Sequence, residues 1–129
     1  MKREFGSLTV IQLPVLQDNY AFLLREHRSG ICAVVDTPDA VAITASLKEL
    51  RWGLDLILNT HWHHDHTGGN LALKERYGAR ILGPENEGDR IPGRDQALVG
   101  GDRFQLGELG VNVMATPGHT QGHICFIIE

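Results

Sequence analysis

Only two cysteines, Cys32 and Cys125, occur in the 129 residues. Each sits in an apolar run and neither belongs to a CxxC pair, which argues against a disulfide framework or a cysteine-held structural zinc; both read as buried, reduced thiols. No apolar stretch is long enough to span a bilayer. The start, MKREFGSLTVIQL, has neither an apolar signal core nor a small-residue cleavage site. A cytoplasmic location with no membrane partner is therefore expected. Basic charge is also scarce: 12 Lys and Arg against 16 Asp and Glu give a net charge of −4. The basic residues are scattered, whereas a phosphate backbone selects for clustered Lys and Arg, so no nucleic-acid partner is expected. Internal repeats and low-complexity segments are lacking too.

What remains fits one small globular domain, since 42% hydrophobic and 22% charged residues over this length can bury a modest core. Apolar and β-branched runs bounded by turn formers predict strands at LTVIQL (8 to 13), YAFLL (20 to 24), ICAVVD (31 to 36) and LDLILNT (54 to 60). Between the last two, Ile43, Leu47 and Leu50 repeat at helical spacing, with Thr37 as N-cap and Pro38 at the first helical position. A shorter helix is expected from about Gly69 to Tyr77, ended by Gly78. ARILGP returns as a strand. The Gly-, Pro- and Asp-rich stretch PENEGDRIPGRDQALVGGD reads as loop. DRFQLGELGVNVMAT reads as a hairpin turning at Gly107 to Gly110, and HICFIIE as a last strand.

This order predicts an α/β fold, a mixed β-sheet with helices on one face. Runs as apolar as ICAVVD and CFII suit strands buried on both faces. One covering layer is lacking from the chain, which leaves an exposed sheet face and self-association through it as the expectation.

The chemistry concentrates in NTHWHHDHTGGN, residues 59 to 70, which holds four of the seven histidines. If the chain leaving LDLILNT stays extended, alternate side chains share a side, so His61, His63 and Asp65 converge while Trp62 and His64 turn away. His66 follows at the turn into the second helix. Imidazole and carboxylate are the ligands of Zn²⁺ and similar ions, and three protein ligands leave a fourth position open for water. A further ligand must come from afar: His119 in ATPGHTQGH is the better candidate and His123 the weaker. His27, His64 and His123 read as ordinary hydrogen-bonding histidines, and Trp62 as packing beneath the loop. Asp36 either caps the following helix or steers the histidine loop.

The pattern T-H-x-H-x-D-H-T-G-G-N at 60 to 70, with ATPGHTQGHICF at 115 to 126, resembles the metallo-β-lactamase superfamily. VLQDNY (15 to 20), VVDTPDA (34 to 40) and RIPGRDQALVGGDRFQLG (90 to 107) extend the resemblance to its glyoxalase II branch, the hydroxyacylglutathione hydrolases. The first motif is shared with persulfide dioxygenases and lactonases. The resemblance implies the N-terminal half of an αββα sandwich. It implies that His61, His63 and His119 bind a first metal, and Asp65 with His66 a second. Zinc is the implied cofactor, two ions per complete site, with iron or manganese also suited to these donors.

The family's bridging aspartate in a Gly-Asp-Thr turn, its last metal-binding histidine and its C-terminal glutathione-binding region have no counterpart in residues 1–129. The chain is thus expected to be a partial domain. The activity implied is metal-assisted attack of water on the carbonyl of a glutathione thioester, with Asp65 as ligand and orienting group. The alternatives are a metal-binding module without turnover, or another enzyme of the metallo-β-lactamase fold such as a persulfide dioxygenase or lactonase.

Overall fold

The computed structural model of the chain describes residues 1–16, 19–118, 120 and 122–129. Gln17 and Asp18 of the VLQDNY motif, the candidate ligand His119 and Gln121 lie outside the described residues.

Among the described residues ten strands form two sheets. The larger runs in the order β1 (Lys2–Phe5), β2 (Leu8–Val15), β3 (Asn19–Glu26), β4 (Cys32–Val35), β5 (Leu56–Leu58), β6 (Arg80–Pro84) and β7 (Gln96–Leu98). Its first four strands pair antiparallel and β4 to β7 pair parallel. The smaller sheet pairs β9 (Leu109–Ala115) with both β8 (Arg103–Leu106) and β10 (Ile124–Ile128). The parallel connections carry helix α1 (Ala40–Leu50) between β4 and β5, then α2 (His64–Thr67) and α3 (Asn70–Tyr77) between β5 and β6. Among the described residues no helix is long and apolar enough to cross a membrane.

Period-two alternation explains the layers. In the pairs Leu23/Leu24, Val34/Ala33, Ile57/Leu58 and Ile81/Leu82, the first residue faces Ile43 and Leu47 of α1 and Leu73 of α3. The second faces Leu106, Val111, Val113 and Ile124 of the smaller sheet. The larger sheet is therefore covered by helices on one side and by the smaller sheet on the other. The open face lies one layer further out. On β10, Ile124, Phe126 and Ile128 point inward while Ile127 is 43% exposed, and Met114 on β9 is 49% exposed.

Three local expectations are corrected, and one strand is added at the start of the chain. Asp39, not Thr37, caps α1, its carboxylate accepting from the Val41 and Ala42 amides. The Thr37 hydroxyl is engaged elsewhere, donating to Asn70 Oδ1. The stretch read as loop contains 3-10 turns over Glu85–Arg90 and the strand β7. β7 is a three-residue edge strand whose register is set by β6 rather than by its own composition. The charged start KREF, exposed along its length, forms β1 by pairing with β2. Cys32 is buried, which pushes its thiol pKa up, but Cys125 is only half-buried, on the outer face of the smaller sheet.

Candidate metal centre

The histidine segment begins where β5 ends, beside the end of β4, at the carboxyl edge of the parallel strands where sites of open α/β sheets form. The extended run stops at His63. His64–Thr67 is a helical turn, with the His66 and Thr67 amides donating to the His63 carbonyl. Asp65 is thus not aligned with His61 and His63 by strand alternation, which corrects that premise; it reaches the cluster from the helix. Its side chain is half exposed, with Oδ2 3.8 Å from His66 Nε2. His61 is buried at 2% exposure. Its ring centroid lies 4.2 Å from that of His66 and 5.0 Å from that of His63. His64 is exposed. His123 stacks on His61 at 4.8 Å, and its Nδ1 pairs with Thr116 Oγ1. Trp62 packs against the helix-side core, with the Arg90 guanidinium over its ring.

Asp36 settles the role left open for it. It lies just past β4 with φ 61°, in the left-handed region, and does not cap α1. Its Oδ1 accepts the Thr60 amide at 2.9 Å, and its Oδ2 accepts the Thr60 hydroxyl at 2.8 Å and His66 Nδ1 at 2.9 Å. A carboxylate only accepts, so His66 Nδ1 carries the hydrogen. The Thr60 hydroxyl has given its hydrogen to Asp36. It must therefore accept from His61 Nδ1, 2.8 Å away. One carboxylate thereby sets the tautomer of both rings and leaves Nε2 as the lone-pair nitrogen of each neutral imidazole. The hydrogen bond to Asp36 raises the His66 pKa above the ordinary histidine value, against the opposing effect of burial.

A buried amide network holds the same segment from below. Asn70 accepts from the Thr37 hydroxyl and donates to Asn59 Oδ1 and the Pro92 carbonyl, while Asn59 donates to the His66 carbonyl. Asn59, Asn70 and Thr37 are all fully buried. Sequence reasoning assigned no task to Thr60, Asn59 or Asn70, although all three stand in the motif itself.

Asp36, His61 and His66 each offer one donor atom, the three within 4.8 Å of one another. The two imidazoles, held in the ligating tautomer beside an anionic carboxylate, fit a divalent cation. Through its three hydrogen bonds Asp36 also orients the rings.

A family model described as the metallo-beta-lactamase superfamily matches residues 16–129. The hydroxyacylglutathione hydrolase of Hyphomonas neptunium is 46% identical over 119 residues, covering 92% of this chain and 46% of that protein. That of Methylococcus capsulatus is 44% identical over 122 residues, covering 95% and 48%. The crystal structure of ETHE1 from Myxococcus xanthus is similar with a TM-score of 0.80 at 27% identity, covering 92% of this chain and 53% of that one. The chain spans about half the length of the curated relatives it matches. With the β-sheet layering, the histidine segment at the carboxyl edge of the parallel strands and this match over nearly the whole chain, the protein belongs to the metallo-beta-lactamase superfamily.

Proposed function

We propose that this chain supplies half of a metal-dependent thioester hydrolase, one that converts an S-2-hydroxyacylglutathione and water into glutathione and a 2-hydroxy acid. The observation that carries the reading is the Asp36 arrangement, in which one carboxylate fixes the orientation of both His61 and His66, directly for His66 and through Thr60 for His61. The similarity to proteins named hydroxyacylglutathione hydrolase supports the substrate class. A small glutathione thioester, rather than nucleic acid or membrane, is the partner, and the cytoplasm is the setting.

His61, His63 and His119 hold a first cation in this reading, and Asp65 with His66 a second. The close packing of the His61, His63 and His66 rings supports it, as does the approach of Asp65 to His66. Zinc is the ion we favour, and iron or manganese suit the same donors. When bound, the cation supplies Lewis acidity toward water and the thioester carbonyl. The protein's part is orientation: Asp36 fixes His66 directly and His61 through Thr60. Asp65, the catalytic carboxylate of this reading, stands at the solvent edge where it can act as ligand and orient the substrate. Thiolate is a good leaving group, so breaking the C–S bond places little demand on a general acid.

The hydrolase proposed extends past this unit to the bridging aspartate, the last metal-binding histidine and the substrate-binding region that the resemblance implies. The isolated chain is expected to self-associate with a second copy through the outer face bearing Met114 and Ile127, and Ile127→Lys should shift it toward monomer in sedimentation.

The test is elemental analysis of the zinc-loaded chain alongside hydrolysis of lactoylglutathione. One tightly held ion per chain is expected, lost in His61→Ala, with turnover far below that of the longer relatives. Zinc content unchanged by His61→Ala would sink the reading.

A further inference from the structure

Glu87 lies in the 3-10 turns between β6 and β7, away from the histidine motif in sequence, and is 3% exposed. Burying a carboxylate is costly unless its oxygens are hydrogen-bonded. Here the bonds go to two separate loops. Glu87 Oε1 accepts the backbone amide of Trp62, 25 residues earlier, at 3.3 Å, and the hydroxyl of Thr120, 33 residues later, at 2.5 Å. Trp62 sits between His61 and His63, and Thr120 follows His119. A Cβ on Gly122 would lie 2.9 Å from the Asn86 carbonyl carbon and 3.0 Å from the Glu87 nitrogen. Gly122, two residues after Thr120, therefore packs closely against the backbone of the segment that presents Glu87.

We propose that Glu87 is a positioning residue for the metal centre: one oxygen ties the His61–His63 loop to Thr120, the neighbour of His119 in sequence, and sets the separation of the two segments. The proposal rests on the ligand assignment given above. Two ligand segments so distant in the chain must be held at a fixed spacing if one ion is to bridge them, and loss of such outer contacts costs metal affinity. Because both donors converge on the same oxygen, the amide oxygen of glutamine can replace it, whereas alanine removes it.

Cobalt(II) binding to the full chain, read by its visible absorption band and by chelator competition, tests this. Glu87→Ala should weaken cobalt binding by about ten- to a hundredfold and alter the band, while Glu87→Gln restores both close to wild type. Affinity and band unchanged in Glu87→Ala would overturn the proposal. So would a Glu87→Gln as weak as alanine, since the negative charge and not the bridge would then be what matters. Should Glu87→Ala fail to fold, Thr120→Val removes one donor at nearly constant volume and must weaken cobalt binding; a folded Thr120→Val that binds like wild type overturns the bridge. His61→Ala run in parallel separates the two ideas, because loss of cobalt there upholds the ligand assignment whatever Glu87 does.

Discussion

His66 donates its Nδ1 hydrogen to Asp36 Oδ2 at 2.9 Å, and His61 reaches the same carboxylate through the Thr60 hydroxyl. Removing that carboxylate frees both rings to rotate and lets either nitrogen carry the hydrogen. Asp36→Ala should therefore weaken divalent metal binding by about ten- to a hundredfold, measured by chelator competition. Wild-type affinity in a folded variant would mean that the loop backbone alone orients the rings.

Within the motif, His61 and His64 differ sharply in burial. His61 is enclosed against His63, His66 and His123, whereas His64 is exposed on the far side of the helical turn. Metal content by elemental analysis should vanish in His61→Ala and stay near the wild-type value in His64→Ala. Equal losses in the two variants would contradict the geometry.

Glu26 supplies the pH dependence. It is fully buried at the end of β3. Burial pushes its pKa up, but hydrogen bonds from the Arg28, Glu108 and Ser29 amides and the Ser29 side chain outweigh that and hold it at about 2, below the ordinary 4.5. A depressed folded-state pKa contributes stability that is present above pH 4.5 and is lost as pH falls toward 2. In urea melts the stability difference between wild type and Glu26→Gln should be constant above pH 4.5 and shrink below it. A difference independent of pH across that window would contradict the assignment.

The same carboxylate explains a glycine. Gly107, at φ +60° in the β8–β9 turn, has room for no side chain: a Cβ would lie 2.1 Å from Ser29 Oγ and 2.5 Å from Glu26 Oε1. Ser29 can rotate away, but Glu26 would lose the Glu108 amide that ties the smaller sheet to β3. Gly107→Ala should destabilise the fold by about 1 to 3 kcal/mol in chemical denaturation. A loss well under 1 kcal/mol would show that the turn relaxes without cost.

Local pattern carried much of the fold and the site. Alternating apolar pairs such as Ile57/Leu58 and the helical spacing of Ile43 and Leu47 are written in adjacent residues, so strands β2 to β6, α1 and α3 were legible. So was the clustering of His61, His63, Asp65 and His66, because one short loop contains them all. β1 and β7 were not legible: their residues are exposed or few, and only pairing with β2 and β6 makes them strands.

The sequence by itself determined which residue types are present for metal chemistry and where the chain must turn, since both depend on neighbours a few positions apart. Tertiary structure alone decided which distant residues brace the histidine segment. Asp36 joins Thr60 and His66 only because β4 and β5 are adjacent parallel strands ending at one edge. Glu87 meets Trp62 and Thr120 only because the segment after β6 packs between two loops. Such contacts span 24 to 33 residues and arise when the sheets assemble, so no local period or spacing records them.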